Sequence, residues 1–152
     1  MKIKIAWIGK TKEAAIQALT DEYVKRTSRY TPVEAVSLRD EAVLLQMAGR
    51  EPGSRGKSSE KSTLVLMDGK GKQLSSGEFA QFLGEYRDRN PLPLIFGIGP
   101  ADGFSQQTLE AAQYRISLGK MTLPHELARV VLLEQLYRAF TILKGHPYHS
   151  GH

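Results

Sequence analysis

The sequence predicts one α/β domain, spanning residues 1–152, in which a mostly parallel sheet is covered by helices on both faces. Short apolar segments alternate with amphipathic segments along the chain, a pattern typical of parallel strands joined by helices. A length of 152 residues is enough for one domain with a substantial hydrophobic core. The sequence has no run of about 18 apolar residues, so it does not predict a membrane-spanning helix.

The first elements are predicted by periodicity and by helix signals. Charged and apolar residues alternate over Lys2–Ile8, which predicts a half-buried strand. The amphipathic stretch 12–30 predicts a helix, and Pro32 prevents its continuation. Val33–Leu38 predicts a second strand, and Asp40 is a suitable cap for the short helix that follows.

The rest of the chain continues the alternation. Residues 49–62 have no aliphatic or aromatic side chain and predict a mobile loop. Thr63–Met67 predicts the third strand, ended by a turn rich in glycine and lysine at 68–72. The remaining predicted elements are a helix capped at Ser75 or Ser76, a strand Leu94–Ile98, a short helix capped at Ser105, a strand Arg115–Leu118 and a long helix that opens at Pro124.

Composition narrows the class of protein. The formal net charge is +5 and the isoelectric point is about 9.5, which is compatible with a polyanionic partner such as nucleic acid. The charge density is not extreme, so an ordinary mildly basic protein is an equal alternative. Cysteine is absent, which excludes disulfides and thiol chemistry. The N-terminus has a strand pattern rather than a signal peptide, so a cytoplasmic location is expected.

Three loops are predicted to lie where parallel sheets bind ligands, beyond the carboxyl ends of the strands. They are Met67–Lys72, Gly99–Gly103 and Leu118–Leu123. The glycines after the fourth strand are spaced G-x-G-x-x-x-G, one residue longer than the dinucleotide fingerprint, and no P-loop pattern occurs. A hydrolase is not indicated either, because the chain has no G-x-S-x-G motif. Simple tight turns therefore remain an alternative for these loops.

The long helix from Pro124 to Lys144 is apolar on nearly every side. A helix of this kind is expected to be buried all round, with one face on the sheet and the other on a second subunit of a two-fold homodimer. Glu134 and Arg138 have the i, i+4 spacing of a structural ion pair. Arg129 has no carboxylate four residues away, which makes it the better candidate for an anionic partner.

A compact polar tail follows the helix, His146-Pro147-Tyr148-His149, with a further histidine at position 152. Three histidines on a terminal tail are a weak signal for zinc, and no metal is expected. An aromatic residue beside a proline is instead expected to dock on the protein or its partner. Tyr148 can stack on a base or donate a hydrogen bond, and His149 can exchange protons near neutral pH.

Longer motifs carry a family resemblance. Residues 118–140 have the sequence L-G-K-M-T-L-P-H-E-L-A-R-V-V-L-L-E-Q-L-Y-R-A-F, closed by H-P-Y-H at 146–149. Shorter motifs are I-x-x-I-G-K at 5–10, L-M-D-x-x-G-K at 66–72 and I-G-x-A-D-G-F-S at 98–105. Together they resemble the RlmH-type methyltransferases of the SPOUT superfamily over the whole chain.

The resemblance implies a fold and an activity. The fold has a deep C-terminal trefoil knot, and the protein is a homodimer with its active site at the subunit interface. The activity is transfer of a methyl group from S-adenosylmethionine to ring nitrogen three of a pseudouridine in bacterial 23S ribosomal RNA, with the assembled ribosome as the expected substrate. The alternative is a dimeric module that binds RNA or a nucleotide in the same pocket without chemistry.

The resemblance also assigns residues. Cofactor contacts are implied for residues at the three loops, namely Met67, Gly99, Leu118, Gly119, Lys120, Met121, Thr122 and Leu123. Tyr148 and His149 are assigned to the catalytic neighbourhood, and Arg129, Arg138 and His146 to substrate binding. The family usually has two adjacent glycines where this chain has Gly99-Pro100, so one backbone N–H is lost there. No family function matches residues 49–62, which either contact RNA phosphates or are simply mobile.

Overall fold

The computed structural model describes residues 1–50 and 61–149. Its strands are β1 (Ile3–Ile8), β2 (Val33–Leu38), β3 (Thr63–Gln73), β4 (Leu94–Ile98) and β5 (Tyr114–Ser117). Its helices are α1 (Ala14–Thr27), α2 (Glu41–Met47), α3 (Ser76–Arg89), α4 (Gln106–Ala111) and α5 (His125–Lys144), and a 3-10 turn covers Pro147–His149. Residues 51–60 of the predicted mobile loop lie outside the described residues.

The strands form a five-stranded sheet in the order β2-β1-β4-β3-β5, and all the recorded pairings are parallel. Alternate residues of each strand point to opposite faces, so each face requires its own cover. Ile5 belongs to a core cluster with residues of α3 and α5, whereas Ala6 belongs to a second cluster with residues of α2. The predicted parallel sheet with helices on both faces is therefore confirmed.

The end of β3 differs from the prediction. The sequence predicted a turn at 68–72, but β3 continues to Gln73, and both Met67 and Lys72 pair with Ile116 of β5. The intervening residues bulge away and the strand then returns to the edge of β5. Gly71 permits this return, since a Cβ atom there would lie 2.7 Å from the backbone of Arg115 and Ile116. The glycines thus serve a bulge rather than a strand-ending turn.

The first helix is shorter than the predicted 12–30. It begins at Ala14 because the backbone N–H of Lys12 donates to the Glu126 carboxylate at 2.7 Å, which holds this stretch against the start of α5. At its other end the Ser28 hydroxyl donates to the Val24 carbonyl, and the chain turns after Thr27. The limits of α4, β5 and α5 differ from prediction by one or two residues, as helix and strand ends commonly do.

Within the chain, α5 is buried on one side rather than all round. Leu132, Leu136 and Phe140 are buried against the sheet, α1 and α3, while Leu127 is 45% exposed. Burial of the remaining apolar surface by a second subunit stays a prediction, as does the knot. None of the helices in the described part of the chain is long and apolar enough to cross a membrane.

Candidate active site

A cavity of about 340 Å³ opens at the carboxyl ends of β3, β4 and β5, in the size range of small-molecule sites. The structure brings together around it every residue that the family resemblance assigned to the cofactor. These lining residues are Met67, Gly99, Leu118, Gly119, Lys120, Met121, Thr122 and Leu123. Strand register explains part of this convergence, since Met67 pairs with Ile98 and so lies level with the start of the Gly99 loop.

The loop after β5 is held by its first residues. The Gly119 N–H donates to the Ser117 hydroxyl at 3.1 Å, and that hydroxyl donates to the Gly119 carbonyl at 2.9 Å. Gly119 has φ +135°, a conformation that residues with a side chain rarely adopt. Met121 extends outward and is largely exposed. The loop therefore presents a fixed backbone at Gly119 and a free side chain two residues later.

Pro100 has a structural role at the second loop. Its carbonyl accepts a hydrogen bond from the Gly103 N–H at 2.9 Å, which closes a tight turn at the cavity rim. Pro100 itself offers no N–H to a ligand, as the sequence indicated. Phe104, directly after this turn, also lines the cavity. Phe104 has no role among the residues assigned from the sequence, although its position after a glycine turn at a strand end is the signal that marks it.

The start of α5 completes the wall with His125 and Ala128, neither of which the sequence analysis assigned. Nearby, Glu126 accepts the N–H of Lys12 and connects α5 to the loop after β1. That hydrogen bond is the largest cause that lowers the pKa of Glu126 below its ordinary value of 4.5. The carboxylate is thus charged at neutral pH and attaches the first loop to the cavity wall.

Arg129 lies inside the protein and outside the cavity lining found among the described residues. Its guanidinium carbon is 3.7 Å from the centre of the Trp7 ring, and its Nη1 donates to the Thr11 hydroxyl at 2.7 Å. Its Nε and Nη2 are buried without a hydrogen-bond partner in residues 1–50 and 61–149. Burial lowers the pKa of Arg129, and the nearby Glu126 charge partly opposes this.

The surroundings of Arg129 differ from those expected from the sequence. No carboxylate lies four residues away, but Glu126, three residues earlier, acts electrostatically on the guanidinium. The complete burial of Arg129 depends on Trp7 from the first strand, which helical spacing does not reveal. In this conformation Arg129 offers no surface to an anion, and its assigned contact with substrate stays a prediction.

The tail docks on the second half of α5, which confirms the expectation that Tyr148 docks. The Tyr148 hydroxyl donates to Glu134 Oε1 at 3.2 Å, and its ring meets that of Tyr137 edge-on at 4.7 Å between centres. Arg138 forms the predicted ion pair with the same Glu134 oxygen, with Nη2 at 2.6 Å. His146 is held through a hydrogen bond between its Nδ1 and the Tyr30 hydroxyl.

Tyr148 is protonated at neutral pH. Burial raises the pKa of its hydroxyl well above the ordinary value, and a hydrogen bond with Tyr23 and the Glu134 charge act in the same direction. The hydroxyl is therefore a hydrogen-bond donor and not a proton acceptor. His149 belongs to the 3-10 turn that carries Tyr148.

The cavity and the docked tail lie at different parts of α5. His125 lines the cavity, whereas Glu134 and Arg138 hold the tail, and nine residues of helix correspond to about 13 Å along its axis. As far as the chain is described, the cavity lining includes no tail residue. One chain thus brings the predicted cofactor residues together but does not bring Tyr148 to them.

A metal centre finds no support in the described ranges, where no group of three His, Cys, Asp or Glu side chains is placed to hold an ion. The sequence pattern of spaced histidines extends to position 152, which lies outside those ranges.

The structure has a parallel sheet with a ligand-sized cavity at its strand ends, and a glycine loop and the long helix α5 form the walls of that cavity. This arrangement is typical of α/β proteins that bind a small ligand beyond the carboxyl ends of their strands. The chain belongs to the SPOUT methyltransferase family, whose model, described as "Predicted SPOUT methyltransferase", matches residues 1–149. The family resemblance of the sequence is therefore confirmed.

Individual relatives cover the whole chain. It is 57% identical over 152 residues to the ribosomal RNA large subunit methyltransferase H of Koribacter versatilis, covering 100% of both chains. It is 43% identical to the ribosomal RNA large subunit methyltransferase H of Geobacter metallireducens, covering 99% of this chain and 100% of that one. A solved probable methylase family protein from Haemophilus influenzae aligns with a TM-score of 0.53 at 12% identity, covering 96% of this chain and 67% of that chain, which supports the fold alone.

Proposed function

We propose that this protein transfers a methyl group from S-adenosylmethionine to ring nitrogen three of a pseudouridine in 23S ribosomal RNA, with the assembled ribosome as its substrate. The observation that carries the proposal is the convergence of all the assigned cofactor residues on one cavity. The names of the full-length relatives, ribosomal RNA large subunit methyltransferase H, support the class of substrate. A ribosomal substrate is also consistent with the basic charge and with the expected cytoplasmic location.

The cavity fits the methyl donor in size and in chemistry. Its walls include apolar side chains such as Met67 and Leu123, suited to an adenosine, and the charged side chains of Asp68 and Lys120. A donor that carries both an amino group and a carboxylate is complementary to that pair of opposite charges. When bound, S-adenosylmethionine supplies an electrophilic methyl group, and the residues around it need chiefly to orient the two reactants.

The tail supplies groups suited to the acceptor. A ring nitrogen of the imide type must lose its proton before it can accept a methyl group, and the negative charge then spreads to the neighbouring oxygens. Arg138 keeps N–H donors beyond those that contact Glu134 and can donate one to such an oxygen, while the Tyr148 ring can stack on the base. His149 is the candidate to take the proton, because imidazole side chains can exchange protons near neutral pH. Arg138 and His146 lie beside Tyr148 on the same side of α5, where they can contact substrate.

A homodimer resolves the separation between cavity and tail. If the tail of one subunit serves the cavity of the other, both parts of the site meet at the subunit interface, as the family resemblance implies. The exposed Leu127 on α5 and the exposed Leu19 on α1 leave apolar surface for such an interface. We therefore propose a homodimer with two shared sites.

The experiment that tests the function follows a labelled methyl group. Purified protein is incubated with labelled S-adenosylmethionine and ribosomes from cells that lack the modification, and the modified nucleotide is mapped by mass spectrometry. We expect label in one pseudouridine of 23S RNA, and less or none on free RNA. Cofactor binding without any transfer would reject the proposal and favour the non-catalytic module. Calorimetry gives the number of cofactor sites per subunit in the same preparation.

His149→Ala tests the assignment of the tail. We expect methyl transfer to fall by about a hundredfold or more, in the range of a lost general base, while the cofactor dissociation constant measured by calorimetry changes little. His152→Ala is the matched control, because it removes the same type of side chain outside the H-P-Y-H motif. Equal losses of transfer and of cofactor affinity in His149→Ala would contradict the assignment.

A further inference from the structure

We propose that Glu134 is a positioning residue for the transfer reaction, because its carboxylate fixes both Tyr148 and Arg138 and links them through Gln135 to a second cavity beside the first. The inference rests on the proposed function and adds a residue that neither the composition nor the family resemblance assigned. Glu134 itself contacts neither cavity, so it acts through its neighbours.

The Glu134 carboxylate receives hydrogen bonds from three side chains. Its Oε1 accepts from Arg138, at 2.6 Å from Nη2 and 2.9 Å from Nε, and from the Tyr148 hydroxyl at 3.2 Å. Its Oε2 accepts from Gln135 Nε2 at 3.1 Å. A carboxylate held on both oxygens has little freedom to rotate, and it fixes the direction in which each donor points.

The Glu134–Arg138 pair is more buried than another i, i+4 ion pair of the chain. Glu22 and Arg26 on α1 have the same i, i+4 spacing, but their side chains are 46% and 37% exposed. Glu134 and Arg138 are each only 19% exposed, and their pair carries the additional bonds from Tyr148 and Gln135. Exposed pairs of this spacing contribute little to stability. The Glu134 cluster instead ties the docked tail to the helix.

The same cluster reaches a second cavity of about 290 Å³ between β5, α3 and α5. Gln135 lines it, and its Oε1 accepts from the hydroxyl of Ser76, which lines it too. This cavity shares Met67, Ser117 and Leu118 with the first one. A continuous chain of hydrogen bonds therefore runs from the wall of the second cavity through Gln135 and Glu134 to the Tyr148 hydroxyl.

The position of Tyr148 thus depends on Glu134. While the carboxylate is present, the phenol proton is directed to it, and the phenol oxygen keeps its lone pairs free on the other side. Without the carboxylate, Tyr148 and Arg138 lose their common acceptor, and the tail is left with its other contacts, among them those with Tyr137, Tyr23 and Tyr30.

A double-mutant cycle tests this dependence. Glu134→Gln, Tyr148→Phe and the double variant are compared with the unchanged protein for kcat on ribosomes and for cofactor affinity. We expect each single change to lower kcat about tenfold and the double change to lower it by about the same factor, because both remove one shared function. The cofactor dissociation constant should stay within about twofold, since Glu134 lies outside both cavities. Glu85→Gln, an exposed helix carboxylate that accepts from Gln81, is the control for the change of charge.

Additive losses, about a hundredfold in the double variant, would overturn the inference, as would a fall in cofactor affinity that matches the fall in kcat. If the unchanged protein transfers no methyl group, the proposed function fails, and hydrogen exchange decides the positioning role separately. Glu134→Ala should then raise exchange of the backbone at 146–149 at least about threefold, and Glu85→Ala should not. Unchanged protection of the tail in Glu134→Ala would overturn the inference independently of any activity.

Discussion

The two halves of α5 carry arginines of the same chemistry in opposite surroundings. In the first half, which lines the cavity through His125 and Ala128, Arg129 is buried on Trp7 with two nitrogens unpaired by any described residue. In the second half, Arg138 is part-exposed and paired with Glu134. One half leaves donors unsatisfied next to the proposed cofactor site, and the other satisfies its charges with side chains of the same helix and tail.

The difference in pairing between Arg129 and Arg138 indicates different roles for the two halves of α5. An unpaired buried donor costs about 1–3 kcal/mol, so its retention calls for an explanation. The second half incurs no such cost among its described groups, and it orders the tail. We infer that the first half favours function at some expense of stability, while the second half supports a fixed arrangement. Variants in each half of α5 test this difference.

The largest effect is expected at the cavity loop. Gly119→Val forces a β-branched residue to φ +135°, a strain of about 1–3 kcal/mol that the loop must relieve by moving. We expect cofactor affinity, measured by calorimetry, to fall about a hundredfold or more, which corresponds to about 2.7 kcal/mol.

Gly145→Val is the matched control at the other end of α5. Gly145 has φ +70°, and no atom of the described residues lies within 4 Å of where its Cβ would stand, as is also true of Gly119. We expect a similar loss of thermal stability but an unchanged cofactor dissociation constant. A comparable loss of affinity in both variants would show that the cavity loop has no special role.

A smaller effect is expected from Arg129→Met, which replaces the buried cation by an apolar chain of similar length. Replacing buried charges by apolar groups is often neutral for stability, so the free energy of unfolding should change by less than about 1 kcal/mol. If the unpaired nitrogens serve an anionic substrate, kcat/KM on ribosomes should fall about tenfold, the size of one charged hydrogen bond. Denaturant unfolding and the methyl-transfer assay measure the two quantities.

The exposed Arg39→Met serves as control, because the one ion pair of Arg39 within residues 1–50 and 61–149 is with its neighbour Asp40 at the surface. It should alter neither quantity. If Arg129→Met lowers stability by several kcal/mol and leaves the transfer rate of the folded fraction unchanged, Arg129 has a structural role alone and the contrast between the two halves of α5 fails.

The smallest effect is expected from Glu126→Gln, which concerns the attachment of α5 to the loop after β1. The pKa of Glu126 is lowered in the folded chain, so its contribution to stability is present above pH 4.5 and is lost as pH falls through the lower folded value. The variant should therefore show a flatter decline of Tm than the unchanged protein as pH falls below about 4.5. An identical acid decline in both proteins would show that this hydrogen bond does not contribute.

Much of the fold could be predicted because its signals are local. The caps that the sequence indicated are formed, with Asp40 accepting from Val43, Ser75 from Glu78 and Ser105 from Thr108. Alternating segments gave the order of strands and helices. The long β3 could not be foreseen, because glycines serve a turn and a bulge equally well, and the partner strand β5 lies some forty residues later.

The candidate site could also be predicted where its signals lie in local motifs of the sequence. The residues assigned a cofactor role from the family motifs converge on the cavity. Phe104, His125 and Ala128 lie in the same motifs, at 98–105 and 118–140, but were given no role and were missed. The burial of Arg129 depends on Trp7, which is remote in sequence, and no spacing rule along a helix reports such a contact. The docking partner of Tyr148 likewise follows from how the chain folds back after Gly145.

Gly71 approaches β5 closely and does not line the cavity, but its size is expected to affect the width of the cavity. Any side chain at this position is expected to wedge the two strands apart at Ile116, one residue before Ser117 enters the cavity wall. The width of the cavity then depends on the distance between the backbones of β3 and β5 at this point. A substitution at residue 71 would therefore change the shape of the cavity without placing a new side chain in it.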